Sequence, residues 1–177
     1  MSPAATETEL QELLSTVAFT RQYGFRLHAI GDGECSIEVP FQDMFERPGA
    51  VVSGQVFMAA ADVAMWFAIM TRLGTDDASV TAAMTTAFLS AARREAFRCR
   101  ATILKQGARL VYGVAECRTL DGKLLTHHAL TYIRPSESRP DNTRTDAPPS
   151  PRPSPSRDSR GRWGVSVLSP PEGERAG

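Results

Sequence analysis

Several features that mark particular protein classes are missing from this sequence of 177 residues. Its 20 Lys and Arg residues equal its 20 Asp and Glu residues, so it has neither a net positive field for nucleic acid nor an acidic surplus. Its three cysteines, Cys35, Cys99 and Cys117, are odd in number and have no Cys-x-x-Cys spacing. We therefore expect reduced cysteines on strands, rather than disulfides or zinc ligands.

Signals for export or membrane insertion are also lacking. The first residues carry Glu7, Glu9 and Glu12 and no basic stretch before an apolar run, unlike a secretory signal. The longest apolar run, residues 56–70, is shorter than the ~20 residues of a membrane span and contains Asp62. We expect a cytoplasmic protein that binds neither membranes nor nucleic acid.

The composition divides the chain into a domain and a tail. Residues 135–177 hold nine of the twelve prolines, with many Ser and Arg residues between them. Such a segment buries too little apolar area to offset the entropy of ordering it. We expect one domain over residues 22–134, an N-terminal helix within residues 1–21 that belongs to it, and a disordered tail over residues 135–177. The alternative for the tail is a proline-rich ligand for a partner.

Hydrophobic periodicity and turn residues predict the order of the elements. Apolar residues at helical spacing predict an amphipathic helix over residues 8–17. A hairpin follows, then a loop over residues 40–49 and one long helix over residues 54–73, which ends at Gly74. The remaining segments predict a meander of four strands. The predicted strands are residues 26–30, 34–39, 80–89, 97–104, 110–119 and 124–133.

The long helix has almost no polar face, because residues 56–70 are apolar apart from Asp62. A helix that is apolar all round must be buried all round. In a domain this small, a strongly curved antiparallel sheet has to wrap around the helix, with help from a second subunit. The predicted fold class is α+β.

Asp62 is the one ionisable residue between Arg47 and Arg72. A buried, unpaired carboxylate costs several kcal/mol, so its presence requires a reason. One interpretation is a catalytic carboxylate that faces a cleft within apolar surroundings. The alternative is a structural residue that is exposed through a gap in the packing or bonded to a neighbouring backbone.

The start of the long helix is the second candidate site. Ser53 is a suitable N-cap, Gly54 allows close approach to the backbone, and Gln55 completes the opening. Unpaired N–H groups of the first turn stabilise an oxyanion, although Ser-Gly is also an ordinary helix start. Asp62 lies eight positions after Gly54, or roughly 12 Å along the axis. These two groups of one chain do not obviously meet at a single reacting carbon.

Residues 22–133 resemble the phenylacetate-type (PaaI-like) acyl-CoA thioesterases of the hotdog superfamily. The resemblance rests on RPG at residues 47–49, SGQ at 53–55, AADVA at 60–64, the strand VTAAMTTAFLSAA and the two hairpins after it. In that family a His-Gly-Gly sequence opens the central helix, and an Asp follows eight residues after the first Gly. Gly54 and Asp62 have the same spacing.

The resemblance implies a hotdog fold, in which a curved antiparallel sheet wraps around one long central helix, and a homodimer or homotetramer with active sites at the subunit interface. The Gly54 amide would polarise the thioester carbonyl, and Asp62 of the partner subunit would act as general base or nucleophile. This arrangement removes the distance problem. Thr81 occupies the place of a hydroxyl that assists in some members. The substrate would be an acyl-CoA, and no cofactor is expected because CoA is part of that substrate.

Several basic residues are candidates for binding the CoA phosphates. The candidates are Lys105 and Arg109, together with Arg93 and Arg94; for each, a solvated strand edge is the alternative. The three histidines have no acidic partner at metal spacing, so we expect no metal site.

The sequence departs from the family pattern at three positions. Ser53 stands in place of the His, Gln55 in place of the second Gly, and Arg47 in place of an upstream Asn found in many members. A subgroup with a Ser-Gly opening is similar to this chain. The alternative function is therefore a catalytically weak acyl-CoA binding protein that has kept the fold.

Overall fold

The structure, a computed structural model, describes residues 3–135. The tail predicted over residues 135–177 lies outside the described residues, apart from its first residue. The helices are α1 (Glu7–Thr16), α2 (Ala18–Tyr23) and α3 (Gly54–Leu73). The strands are β1 (Arg26–Gly31), β2 (Glu34–Val39), β3 (Glu46–Arg47), β4 (Val51–Val52), β5 (Val80–Phe88), β6 (Phe97–Gln106), β7 (Leu110–Thr119) and β8 (Leu124–Ile133).

The N-terminal helix is confirmed as α1, which lies one residue earlier at each end than predicted. A capping box fixes its start: the Thr6 hydroxyl accepts a hydrogen bond from the Glu9 N–H, and the Glu9 carboxylate accepts one from the Thr6 N–H. The short helix α2 was not predicted. It is separate because Val17 between the two helices has extended dihedral angles (φ −69°, ψ 121°).

Six strands form one antiparallel sheet in the order β1-β2-β6-β7-β8-β5. The predicted α+β arrangement is confirmed, but the prediction of a four-strand meander was wrong in one strand. Strands β6, β7 and β8 are consecutive neighbours, whereas β5 pairs with β8 at the far edge. The place beside β6 is taken by β2 of the N-terminal hairpin.

The segment predicted as a loop over residues 40–49 has some regular structure. It contains a single 3-10 turn at Asp43–Phe45, followed by β3, which pairs with β4 in a two-residue ladder. This ladder leads directly into α3. Two-residue strands have too little periodicity for a sequence pattern to reveal.

The central helix α3 has the predicted bounds and ends at Gly74, whose φ of 87° is readily adopted only by glycine. Most of its residues are buried, and the helix packs against the sheet; the buried residues include Val63, Phe67 and Ile69. Each such side chain contributes about 1.5–3 kcal/mol when fully buried. The expectation of burial all round was not met in the single chain, because a stripe containing Gln55, Met58, Asp62 and Trp66 is partly exposed.

By length and composition alone, α3 meets the criteria for a membrane span, because an 18-residue window within its 20 residues has a mean hydropathy of 1.5. The interpretation of this run as too short was therefore not sufficient to exclude a span. In the fold, 67% of that window is buried. The core helix of a soluble protein has the same properties.

The three cysteines are free and buried, and they lie on β2, β6 and β7. This confirms the expectation of strand-borne cysteines that act as small apolar residues. Burial raises the pKa of the Cys35 thiol to about 12, so that thiol stays protonated at neutral pH.

Candidate active site

Asp62 lies on the partly exposed stripe of α3, close to the edge strand β5. Its carboxylate oxygen Oδ1 accepts two hydrogen bonds, from Thr81 Oγ1 at 2.6 Å and from the Tyr132 hydroxyl at 2.6 Å. The Tyr132 hydroxyl is also 2.9 Å from the backbone oxygen of Asp62. Among residues 3–135, no donor bonds to Oδ2. One oxygen of the carboxylate is therefore held by the fold, and the other is available for chemistry.

The family resemblance gives Thr81 the place of an assisting hydroxyl on the strand after the helix, and the structure brings its side chain into contact with that of Asp62. A β-bulge accounts for its orientation. Thr81 pairs with Tyr132, and the next pair is Ala83 with Thr131, so Ala82 is an extra residue in β5. Strict alternation would place Thr81 on the opposite face from Met84. With the bulge, both residues face the same side of the sheet as their partners Tyr132 and Leu130.

Tyr132 was missed by the sequence analysis. It lies on β8, is only 2% exposed, and stands directly opposite Thr81. The available signal was weak: an inward-facing tyrosine near the end of a strand needs a hydrogen-bond partner for its hydroxyl. Burial raises the pKa of Tyr132 well above its usual range, and the charge of Asp62 raises it further. The phenol therefore remains neutral and can donate a hydrogen bond to the carboxylate.

The predicted N-cap is correct in position but not in its bonding. Ser53 precedes α3, yet its side chain accepts no capping hydrogen bond. Its backbone N–H donates to Phe45 O at 2.8 Å, in the loop before the helix. Of the first three helical N–H groups, only that of Val56 has a backbone acceptor within the described chain, Ser53 O at 3.1 Å. The N–H groups of Gly54 and Gln55 are left for an external acceptor.

A cleft of about 470 Å³ opens at the start of α3. Its walls are mainly apolar, and Arg47 is the charged residue among them. Gly54 lies in this cleft beside Phe88, whose ring carbons stand 3.0 Å from where a Cβ on Gly54 would be. The lining residues are Arg47, Val51, Val52, Gly54, Phe57, Phe88, Leu89, Ser90 and Ala91.

A larger groove of about 710 Å³ lies across β1, β2, β6 and β7. It contains neither Asp62 nor its two hydroxyl partners. Its arginines are paired with glutamates, as in Arg100–Glu34 at 2.6 Å and Arg118–Glu116 at 2.8 Å. With its positive charges compensated in this way, the groove offers no concentrated charge to a ligand.

The basic candidates for binding CoA lie at two places in the fold. Lys105 and Arg109 are exposed at the turn between β6 and β7. This turn is at the same end of the sheet as Thr81, because Gln106, Val111, Tyr132 and Thr81 are successive partners across four strands. Gln106 and Thr81 are thus three strand spacings apart, or roughly 14 Å.

The other two arginines lie near the start of α3 and are engaged with the protein. Arg93 donates a hydrogen bond to Gly49 O at 3.2 Å. Arg94 forms an ion pair with Glu46 at 2.5 Å. Pairing with Glu46 leaves Arg94 less available to an external phosphate than Lys105 or Arg109.

Within one chain, the two candidate catalytic groups remain apart. Asp62 is joined to the Thr81 end of β5, whereas Gly54 contacts Phe88 at the other end of that strand. Gln55 is exposed at the helix start. The separation expected from the helical rise, about 12 Å, is therefore built into the chain.

His128 is fully buried and is held by two hydroxyls, with Nδ1 at 2.9 Å from Thr86 Oγ1 and Nε2 at 2.7 Å from Thr126 Oγ1. These contacts agree with the structural interpretation of this histidine. Over residues 3–135, there is no cluster of three or more His, Cys, Asp or Glu side chains suited to a metal ion.

The chain is similar to known proteins in both sequence and fold. The family model described as the Thioesterase superfamily matches residues 49–126, which include α3, Thr81 and the start of β8. Among curated proteins, a "putative esterase" of Saccharolobus solfataricus is 28% identical over 92 residues, 52% of this chain and 65% of that protein. The match thus spans slightly less than two thirds of that relative.

Solved structures share the fold. A "putative thioesterase" from a Silicibacter species is 25% identical, with 77% of this chain and 96% of that chain covered at a TM-score of 0.69. The PaaI protein of the phenylacetic acid degradation operon of E. coli is 16% identical, with coverages of 71% and 89% and a TM-score of 0.65. A hypothetical thioesterase with coenzyme A from Streptococcus pneumoniae is 11% identical, with coverages of 63% and 85% and a TM-score of 0.58. The last two similarities concern the fold alone.

Proposed function

We propose that this chain, which matches the thioesterase superfamily over residues 49–126 and has the hotdog fold of PaaI-like proteins, hydrolyses an acyl-CoA thioester to a carboxylic acid and CoA. Asp62 acts on water as a general base, or attacks the thioester carbon directly as a nucleophile. The Gly54 amide stabilises the oxyanion. We expect no cofactor to take part, because CoA is itself the part of the substrate that leaves, as its thiol.

The observation that carries this proposal is the environment of Asp62. A carboxylate on an otherwise apolar helix is costly unless it is bonded, and here two hydroxyls bond to Oδ1 while Oδ2 has no donor among the described residues. A purely structural carboxylate would be expected to have both oxygens occupied. A free oxygen on a fixed carboxylate is what general-base or nucleophilic catalysis requires.

In the general-base route, Oδ2 of Asp62 takes a proton from water as the water oxygen bonds to the carbonyl carbon. The carbonyl oxygen becomes an oxyanion, which the Gly54 N–H stabilises together with the positive end of the α3 dipole. The oxyanion then collapses and the carbon–sulfur bond breaks. The proton held by Asp62 passes to the departing CoA sulfur, so that the carboxylate is restored.

The edge strand β5 supports an active site built from two chains. In the described chain, β5 pairs on one side only, with β8. Its sequence VTAAMTTAF contains no charged residue and no proline, which are the usual protections of an exposed edge. Val80 and Phe88 at its ends are 62% and 57% exposed. We propose that a second copy of this chain pairs along this edge.

Antiparallel pairing of two β5 strands about their centres would solve the distance problem. The Thr81 end of one strand would then lie beside the Phe88 end of the other. Since Asp62 is bonded to Thr81 and Gly54 contacts Phe88, Asp62 of one subunit would approach Gly54 of the other. Two such sites would form in a dimer, and a tetramer would contain two of these dimers.

The CoA part of the substrate is assigned to the turn with Lys105 and Arg109. Both side chains are exposed near the Asp62 end of the sheet, where they can bind phosphate groups. A fold relative with coenzyme A supports a CoA-type substrate. The apolar cleft beside Gly54 is suited to the acyl group.

The second candidate function is acyl-CoA binding with little catalysis. It is favoured by one observation: Ser53 stands where the related family has a His, and its side chain forms no capping bond. Thiol release from a panel of acyl-CoAs, measured on the full chain and on Asp62→Asn, distinguishes the two functions. Turnover that depends on Asp62 supports the thioesterase. Saturable binding by the wild type without thiol release would replace the proposal with the binding function.

A further inference from the structure

The hydroxyl of Tyr132 gives the carboxylate of Asp62 a defined orientation. We propose that Tyr132 is a positioning residue, which together with Thr81 holds Oδ1 of Asp62 and leaves Oδ2 as the reacting oxygen. This inference rests on the proposed function, because it specifies which atom of Asp62 acts. It adds a residue from β8 to a site otherwise assigned to α3 and β5.

The geometry of the contact supports a specific role rather than simple filling of the core. The Tyr132 hydroxyl is 2.6 Å from Oδ1, which is in the short range found when an O–H donates to an ionised oxygen. A tyrosine that only filled space would satisfy its hydroxyl equally well with a backbone carbonyl. Here the backbone oxygen of Asp62 is the longer contact, at 2.9 Å.

Two donors on one oxygen have a chemical consequence. Thr81 and Tyr132 are cross-strand partners on β5 and β8, and the hydroxyl of each donates to Oδ1. Both usual acceptor directions of that oxygen are therefore used. A base or nucleophile needs a free lone pair. Only Oδ2 retains one, and the plane of the carboxylate is fixed by the two bonds at Oδ1.

The position of Tyr132 in the sheet makes it a rigid support. Strand β8 lies between β7 and β5, with Val111 on one side of Tyr132 and Thr81 on the other. The side chain is almost completely buried, so few rotamers are open to it. Such a residue holds a catalytic group more accurately than a surface side chain does.

The test compares Tyr132→Phe with Tyr112→Phe in the full chain. Both variants remove one phenolic oxygen, but Tyr112 is 43% exposed on β7 and forms no side-chain hydrogen bond within the described residues. We expect Tyr132→Phe to lower kcat by about tenfold to 100-fold, with KM changed by less than about threefold, and Tyr112→Phe to change neither. A wild-type kcat in Tyr132→Phe would overturn the proposal.

A double variant tests whether Tyr132 acts through Asp62. If it does, Tyr132→Phe should change kcat by less than about twofold once Asp62→Asn is present, because the group being oriented has already lost its basic oxygen. The same fold-loss in both backgrounds would mean that Tyr132 acts on its own or only on stability, and would overturn the proposal.

Crystal structures of the wild type and Tyr132→Phe provide a readout that does not require activity. We expect the Asp62 carboxylate to rotate, or to occupy two orientations, in Tyr132→Phe but not in Tyr112→Phe. An unmoved carboxylate in Tyr132→Phe would overturn the positioning role. If the wild type releases no thiol from any acyl-CoA, the proposed function fails, and the carboxylate orientation still decides the role of Tyr132.

Discussion

The ring of Phe88 packs against the backbone of Gly54 so closely that a methyl group on Gly54 would stand 3.0 Å from two of its carbons. Phe88 is at the end of β5, and Gly54 is the first residue of α3. The contact therefore joins the edge strand to the helix terminus that is proposed to stabilise the oxyanion. It also explains why a side chain at position 54 would narrow the approach to the amide.

Gly54→Ala should fold but turn over slowly. Phe88 is more than half exposed, so its ring can move aside, but the added methyl group then crowds the substrate carbonyl at the amide. Loss of one oxyanion donor costs ~10²–10³-fold in kcat, and a partial displacement should cost at least about tenfold. Steady-state kinetics and melting temperature measure the two effects. The double variant Gly54→Ala/Phe88→Ala is the control: full recovery of kcat would mean that ring crowding, rather than access to the amide, caused the loss.

Asp62→Asn should separate catalysis from stability. The Asn side-chain oxygen can still accept from Thr81 and Tyr132, so the fold should be retained, while the basic oxygen is lost. General-base catalysis is worth ~10²–10⁴-fold, and kcat should fall by about this factor with little change in KM. The melting temperature should be unchanged or higher if the charge is strained for function. An Asn variant that melts earlier and keeps near-normal kcat would make Asp62 a structural residue.

Replacing Thr81 tests the second hydroxyl at Oδ1. Thr81→Val removes the donor and keeps the shape, whereas Thr81→Ser keeps the donor and serves as the matched variant. A hydrogen bond to a charged group is worth ~1.5–3 kcal/mol when well shielded, and Thr81 is exposed, so we expect a fall in kcat of about threefold to tenfold for Thr81→Val. Thr81→Ser should stay close to the wild type. Equal losses in both variants would point to packing of the Thr81 methyl group instead of its hydroxyl.

The proposed pairing of two β5 strands predicts a charge-sensitive dimer. Thr85 lies near the middle of β5 and is exposed, so Thr85→Lys would bring two positive charges close together across the twofold axis. We expect a shift from dimer or tetramer to monomer in light scattering, and a loss of thiol release. Thr16→Lys, at the exposed end of α1, introduces the same residue away from the edge and should leave the mass unchanged. A wild type that is a fully active monomer would exclude the two-chain site.

Tyr132 predicts how stability depends on pH at the alkaline end. Burial, and then the charge of Asp62, raise the pKa of Tyr132 above its usual value of 10.0. In the unfolded chain this phenol releases its proton near pH 10, while the folded chain keeps it. The contribution of Tyr132 is therefore complete below about pH 10 and is lost as the pH rises above it. Between pH 9 and pH 11, the melting temperature of the wild type should fall more than that of Tyr132→Phe, and parallel falls would contradict this.

Much of the fold could be predicted from the sequence because its signals are local. The bounds of α3, β7 and β8 agree with the structure, since Gly54, Gly74 and the Asp121-Gly122 turn mark them clearly. The position of β5 could not be predicted in the same way. Whether that strand lies beside β6 or β8 depends on which edge is free after the N-terminal hairpin has paired with β6, and this is a property of the whole sheet.

The candidate site was predictable in the same uneven manner. Asp62 was identified because a charge on an apolar helix is unusual, and its contact with Thr81 is present in the structure. Tyr132 lies 70 positions after Asp62 in the chain, and a tyrosine in a strand is ordinary. Nothing in the spacing of these residues links the two, because their contact depends on how β8 passes beneath α3.

The bulge at Ala82 divides β5 into two parts whose threonines contact different residues. Beyond it, Met84 and Thr86 follow the ordinary alternation of the strand, and Thr86 supports the buried His128. Before it, Thr81 is out of step with them in sequence position only: the bulge places it on the same side of the sheet, where its hydroxyl bonds to Asp62. Deleting Ala82 would give a regular strand in which Thr81 and Ala83 pair in succession with Tyr132 and Thr131, so the threonine would stay on the Asp62 side and only the local bend and twist of the edge strand would be lost.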